Sequence, residues 1–306
     1  MGEALIDFIP VLDADGNPAY KPSPGGSPYN SSIATARLGA GSVFAGRVSR
    51  DFFGDQLVGR LEENGVETSH IVRSEQPSTL AFVKKTDAGE ARYAFFVENA
   101  ADRSLVPGDL PGHLPADVES IVFGSISLIG EPAGETIVSF VEQQAENVVA
   151  SFDPNRRTVL LEDESVYRER VERACRAAGI IKMSDEDLEW FRPGVSLEEA
   201  ASALLGGNTK LVVVTKGADG AFAVTGRERV DARAVETEVS DTVGAGDSFH
   251  SALLVWLSKT GRLSHAALEQ ITSSDLKGML DFAVRVAAKT CSRPGADPPH
   301  EHEVEL

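Results

Sequence analysis

The seven residues Asp241-Thr242-Val243-Gly244-Ala245-Gly246-Asp247 carry the sharpest chemical signal in the chain. Apolar residues at Phe249, Ala252, Leu253 and Trp256 recur at helical spacing, which predicts a helix from about Ala245 to about Gly261. Glycines at 244 and 246 let the backbone approach a ligand closely, and the free N–H groups of a helix start favour an anion. Asp247 would repel that anion, unless it takes a proton from a hydroxyl attacking a phosphate. From spacing alone the same aspartate reads equally as a first-turn acid that stabilises the helix. Both readings stand at this point.

Other candidates are scattered along the chain. Asp7 interrupts the apolar run Gly2–Pro10, where a buried carboxylate is costly without polar partners such as hydroxyl groups; a strand end facing water is the simpler account. Gly25 and Gly26 make a turn, and Asn30 is placed to cap the helix that follows. Gly217 and Gly220, after the run ending in Thr215, fit either a ligand-hugging loop or an ordinary turn. His300 and His302 are possible metal ligands, but the Pro-, His- and Glu-rich stretch Pro294–Leu306 reads as a solvated, frayed tail.

The elements that must position these residues alternate. Short runs apolar on both faces, at Ser42–Val48, Ser120–Ser125, Val148–Asp153, Gly179–Ser184 and Leu211–Lys216, are separated by helical stretches such as Asp55–Glu63 and Glu135–Glu146. That pattern predicts an α/β sandwich with a mainly parallel central sheet, in which ligands collect beyond the carboxyl ends of the strands. Asp153, Ser184 and Lys216 stand at such ends. Two segments, about 11–23 and 78–99, break the pattern with half-exposed alternation and turns, one of them at Asp87–Glu90. Together they predict a small antiparallel β lid or a bland surface hairpin.

Composition narrows the partners. Twenty-nine Lys and Arg against 47 Asp and Glu leave a net charge of −18, which opposes nucleic acid and anionic membranes. Cys175 and Cys291 do not make a disulfide framework, and no apolar run is long enough to span a bilayer, so a cytoplasmic location is expected.

The stretch Asp241–Asp247 closely resembles the second signature of the ribokinase-like (PfkB) carbohydrate kinases, Asp-Thr-x-Gly-Ala-Gly-Asp. The first signature is matched from Gly25 to Val66, by Gly25-Gly26 with Asn30, an Ala-containing helix and Ser49-Arg50-Asp51-Phe52-Phe53-Gly54. The resemblance runs over nearly the whole chain and implies one ribokinase-like three-layer α/β/α domain spanning 1–306, with the lid inserted in it. It implies that Asp247 is the catalytic base and that the amides of Gly244, Ala245 and Gly246 form the anion hole. Asp7, Gly25, Gly26, Asn30, Asn155 and Arg157 match sugar-binding positions, and Phe95 and Phe96 of the lid are candidates to pack on the sugar. Thr215, Gly217 and Gly220 match the nucleotide loop, and Thr242 is assigned to the same ligand. Lys182, Ser184 and Asp187 fall where the family has Lys-x-Asn-x-x-Glu, a motif that helps organise Mg²⁺ and the phosphates of ATP. Serine for asparagine and aspartate for glutamate are departures that put the role of Asp187 in question. Asp241, Val243 and Gly295 match a site for a monovalent cation such as K⁺.

Within the family the stretches Gly2–Pro10, Ser151–Arg157, Lys182–Phe191 and Cys291–Ala296 are most similar to bacterial fructokinases. The resemblance therefore implies transfer of the γ-phosphoryl group of ATP to a primary hydroxyl of a ketohexose, giving fructose 6-phosphate from D-fructose. Kinases of 2-keto-3-deoxygluconate share Asp153-x-Asn155-x-Arg157; Glu98, if it faced the pocket, would repel the carboxylate of such a sugar acid. A kinase-like regulatory scaffold without turnover is a third reading, although it would be expected to have lost Asp247 or its glycine turn. Pairing of exposed lid strands between two copies is an expected route to a homodimer. Where relatives carry several apolar residues ahead of Gly-Glu-Ala-Leu-Ile-Asp, Met1 directly precedes Gly2.

Overall fold

A computed structural model describes residues 1–85, 91–161 and 163–306, so the turn expected at Asp87–Glu90 lies outside the described residues. The chain opens with a hairpin of β1 (Leu5–Leu12) and β2 (Pro18–Gly25), whose turn is closed by the Asp13 carboxylate accepting the N–H groups of Asp15 and Asn17. Helix α1 (Ser27–Arg37) follows, then β3 (Gly46–Ser49), α2 (Phe52–Glu63), capped by Asp51 accepting the Gly54 N–H, and β4 (Ile71–Ser74). Strands β5 (Thr79–Lys85) and β6 (Ala91–Phe96) complete a four-stranded sheet in the order β2-β1-β5-β6. Its outer pairs are antiparallel and its central β1·β5 pair is parallel, with Leu5 opposite Thr79. The two lid segments thus meet in one sheet, which begins at Leu5, earlier than the expected boundary near residue 11. The run Ser42–Val48 does not join the main sheet. Only its end is strand, paired with β4 in a separate two-stranded sheet, because Val43 is 42% exposed and the run is not covered on both sides.

The main sheet is built from β7 (Ser120–Gly124), β8 (Val149–Asp153), β9 (Ile180–Ser184), β10 (Leu211–Thr215), β11 (Ala221–Val224) and β12 (Arg229–Ala232), in the order β12-β11-β10-β9-β8-β7. Strands β7 to β10 are parallel and the last two turn antiparallel. One face is covered by α3 (Ala133–Gln144), α4 (Glu164–Ala177), α5 (Asp185–Phe191) and α6 (Leu197–Ser202), whose Ile137, Val171, Leu188 and Ala201 pack with Phe152, Ile181 and Val214. The other is covered by α7 (Ala245–Lys259), α8 (His265–Leu268) and α9 (Ser273–Cys291), whose Leu253, Leu268 and Leu280 pack with Val149, Ile180 and Val213.

This three-layer arrangement has a local consequence. Strand side chains alternate between faces, so Ser151 and Asp153 of β8 and Lys182 of β9 share the α7 face with Val149 and Ile180. The tail differs from expectation. Rather than fraying, it is tied down by Arg37 to Asp297 at 2.5 Å, by Arg60 to the Ala296 carbonyl at 3.2 Å, and by the pairs Lys259–Glu301 and Arg293–Glu303. The rings of His300 and His302 stack on each other, and among the described residues no group of three or more His, Cys, Asp or Glu could hold a metal ion.

Candidate active site

The turn before α7 is shaped by its glycine and by Asp241. Gly244 has φ of 76°, and a Cβ there would stand 2.7 Å from the Cβ of Ala296, so both conformation and space demand glycine. The Asp241 carboxylate accepts the N–H of Val243 at 3.1 Å and of Gly295 at 3.0 Å, which joins this turn to the tail. The Ala245 N–H donates back to the Thr242 carbonyl at 3.3 Å, while the N–H groups of Gly244, Gly246 and Asp247 meet no acceptor among the described residues, as at an open helix start.

Asp247 sits directly behind these donors and is only 7% exposed. Its two oxygens accept from Ser27 Oγ at 2.6 Å and Asn30 Nδ2 at 2.9 Å. Ser27 and Asn30 are one turn apart on α1, so one helix face delivers both donors. Burial pushes the Asp247 carboxyl up to about 6; Ser27 and Asn30 hold it back, and the neighbouring charges of Asp153 and Lys182 oppose each other.

Asp247 forms part of the wall of a cavity of about 290 Å³, at the small end of ligand sites. Of the residues singled out in the sequence, Asp7, Gly26, Asn30, Asn155 and Arg157 line it from the sugar-binding set. Lys182, Thr242, Val243, Gly244 and Gly246 line it from the phosphate side. Gly25 stands just behind, where a Cβ would fall 2.3 Å from Asp7 Oδ2. Burial pushes Asp7 up to about 7, with Arg157 opposing the shift and Asp247 adding to it. Lys182 donates to Asp153 at 2.7 Å in a buried pair; burial works against its ammonium, but Asp153 outweighs that and holds it above the ordinary lysine value.

The remaining residues lie outside this cavity. Ala245 is in the turn itself, and Asp241 and Gly295 brace it from behind. Ser184 and Thr215 are side by side at the carboxyl ends of β9 and β10. Ser184 Oγ accepts the Asp187 N–H at 3.1 Å, and Asp187 accepts the Arg156 N–H at 3.3 Å. Burial and Asp153 push the Asp187 carboxyl upward against Lys182. Gly217 and Gly220 have φ of 52° and 87°, and a Cβ on Gly220 would stand 2.1 Å from the Ala232 carbonyl. Phe96, a candidate to pack on the sugar, is instead 62% exposed, and its ring meets Phe82 on the outer face of the lid. Register explains this: Tyr93 and Phe95 of β6 face the cavity, so Phe96 must face away. Glu98 is exposed and is not part of the cavity wall.

The sequence singles out neither Ser27 nor Tyr93 and gives Glu3 no role, and it marks Asp153 as a strand end at the ligand edge without its pairing to Lys182. Glu3 is buried, accepts the Ser27 N–H at 3.0 Å and bonds Ser127, so it sets the residue that sets Asp247. The three-residue spacing of Ser27 from Asn30 was the available signal. A second cavity, about 680 Å³, opens against the start of β7 and the second half of α7, and none of the candidate site residues lines it.

A buried carboxylate beside a glycine-shaped helix start, at the carboxyl edge of a parallel sheet and under a β lid, defines a phosphoryl-transferring enzyme with a hydroxyl acceptor. The chain belongs to the pfkB family of carbohydrate kinases, whose family model matches residues 1–303. It is 37% identical over 276 residues to a fructokinase of Rhizobium leguminosarum bv. trifolii, covering 90% of this chain and 84% of that protein. Among solved structures it resembles fructokinase of Xylella fastidiosa with bound ATP, at 27% identity and TM-score 0.88 over 96% of this chain and 92% of that one. Fructokinase of Vibrio cholerae O395, solved with fructose, ADP and calcium ion, aligns at 29% identity and TM-score 0.83, again over 96% and 92%.

Proposed function

We propose that this carbohydrate kinase transfers the γ-phosphoryl group of ATP to the C6 hydroxyl of D-fructose. The observation that carries the reading is the Asp247 carboxylate, held by Ser27 and Asn30, in the cavity wall beside the Gly244–Gly246 turn. Asp247 accepts the proton of the hydroxyl as its oxygen attacks the γ-phosphorus in line; the new O–P bond forms as the bond to the β-phosphate oxygen breaks, and ADP leaves. The amides of Gly244 and Gly246 are free to meet the charge that develops on the phosphoryl oxygens, whereas that of Ala245 donates to Thr242 at 3.3 Å. Asp7, Asn30 and Asn155 offer hydrogen bonds to the sugar hydroxyls, while Ser184, Thr215 and the turn Gly217–Gly220 offer the nucleotide a floor along the strand ends.

Mg²⁺ suits the donors present when it arrives on the nucleotide, because Asp187 supplies one carboxylate near Lys182 and phosphate oxygens complete such a shell. When bound, it would neutralise the phosphates. For K⁺, the carbonyls of Asp241 and Val243 accept no hydrogen bond among the described residues, whereas that of Gly295 already accepts the Asp297 N–H at 2.9 Å. A sugar acid fits less well than fructose: Glu3, Asp7 and Asp247 all line the cavity, and of the two cations in its wall Arg157 is engaged by Asn155 Oδ1 at 2.7 Å and Lys182 by Asp153 at 2.7 Å. The exposed Leu12, Tyr20 and Phe96 of the lid sheet suit a second copy of this chain docking lid to lid.

ADP release with Mg-ATP over fructose, 2-keto-3-deoxygluconate, ribose and tagatose tests the reading. Fructose should give the highest kcat/KM. A preference for 2-keto-3-deoxygluconate would overturn the substrate, and silence with every sugar would overturn the reaction.

A further inference from the structure

Three buried side-chain hydrogen bonds fasten α7, each to a different neighbour. Ser248 meets Thr290 of α9 at 2.9 Å, Ser251 donates to the Ser31 carbonyl of α1 at 2.9 Å, and His250 meets Ser151 of β8 at 2.6 Å. The last of these reaches the sheet, and both its partners are buried, at 1% and 0% exposure. Burial drives the His250 ring down to about 4, against the pull of Asp153, so the imidazole is neutral at pH 7 and its bond to Ser151 is not an ion pair.

The placement of this bond matters. His250 follows Asp247 by three residues on α7, and Ser151 precedes Asp153 by two on β8. Three helical residues rise about 4.5 Å and two strand residues span about 6.6 Å, so the two pairs advance roughly together along the helix–sheet contact. Helix α7 therefore meets the sheet at two rungs. At one, His250 bonds Ser151. At the other, the first turn of α7 abuts Lys182, whose Nζ would lie 3.2 Å from a Cβ on Gly246 and which pairs with Asp153.

We propose that His250 is a positioning residue for phosphoryl transfer: its bond to Ser151 fixes the height of α7 over β8, and with it the place of Asp247 and the glycine turn relative to the Lys182–Asp153 pair. The surrounding contact is apolar, from Phe249, Leu253 and Leu254 of α7 against Val149, Ile180 and Val213. Apolar burial holds surfaces together without direction, so it supplies adhesion but not register along the helix. A hydrogen bond supplies register. Bulk alone would be met by an aliphatic pair, without the cost of burying a hydroxyl and an imidazole. In an enzyme a displacement of about 1 Å costs on the order of 10²-fold in rate.

The inference rests on the sugar-kinase reading with Asp247 as base, and four variants test it separately: His250→Leu, Ser151→Ala, the two combined, and His250→Gln, whose amide nitrogen can take the place of Nε2. We expect His250→Leu and Ser151→Ala each to lower kcat roughly 10- to 100-fold, with KM for sugar and ATP within about threefold of the parent. The combined variant should be no slower than the worse single one, because both remove the same bond. His250→Gln should recover most of kcat. Should His250→Leu fail to fold, Ser151→Ala decides alone, since it removes one hydroxyl. Unchanged kcat in a folded variant, a loss of kcat that only tracks the folded fraction, or no recovery in a fully folded His250→Gln would each overturn the positioning role. A parent that phosphorylates another sugar in the panel refutes fructose but leaves these ratios measurable on that sugar.

Discussion

As the proposed base, Asp247 must be ionised to accept a proton, in a place where burial favours its neutral form. With its carboxyl pushed up to about 6, kcat/KM should fall on the acid side of that value, as protonated base accumulates in the free enzyme. Asp7, pushed up to about 7 and coupled to Asp247, makes the acid limb a property of the pair. A flat pH–rate profile from 5 to 8 would contradict the assignment. Asp247→Asn should lower kcat by about 10²- to 10⁴-fold while leaving KM for both substrates near the parent value. Its stability should move the other way. A carboxyl whose folded value lies above its unfolded 3.8 adds stability below about pH 4 and loses it as pH rises through about 6. The asparagine variant should therefore melt higher than the parent at pH 8, and the gap should close toward pH 5, as thermal melts would show. Gly244→Ala forces a side chain into a left-handed turn against Ala296, and should cost roughly 1–3 kcal/mol in chemical denaturation as well as turnover.

The lid sheet has its own internal cement. Phe8 of β1 stacks on Phe82 of β5 at 4.4 Å between centroids, and Tyr20 and Phe96 meet the same ring edge-on. Such pairs contribute about 0.5–1.5 kcal/mol each beyond their area, so Phe82→Ala should loosen the lid selectively. Amide exchange should quicken in β1 and β5 with β8 unaffected, and KM for the sugar should rise several-fold; equal quickening in all three strands would mean that the lid is not a separate unit. The central elements are legible in the sequence because parallel strands are apolar on both faces, and the helix start at Ala245 is marked by its glycines and its 3.6-residue period. The lid was legible in location but not in parity. Phe95 and Phe96 differ only in which face they occupy, and that is fixed by register with β5, which the sequence does not encode locally. Ser27, and the parts played by Glu3 and Asp153, are hidden for a related reason: each matters through a partner more than 20 residues distant, brought near by topology rather than by spacing.

Across the whole molecule, a net charge of −18 must coexist with an anionic co-substrate. Raising ionic strength from about 20 to about 200 mM should lower KM for ATP and raise the melting temperature, because screening weakens both the repulsion of ATP and that of the chain for itself. The exposed ion pairs pull the other way, but each contributes about 0–1 kcal/mol at most. An unchanged KM would place enough local positive charge around the nucleotide to cancel the global field. The tail has a different reach. Gly295 donates to Asp241, Ala296 backs Gly244, and Asp297 is gripped by Arg37. Carboxypeptidase trimming that passes this point should therefore abolish phosphorylation while circular dichroism still records an intact sandwich, since the last residues to be nibbled away are the wedge behind the Gly244 turn.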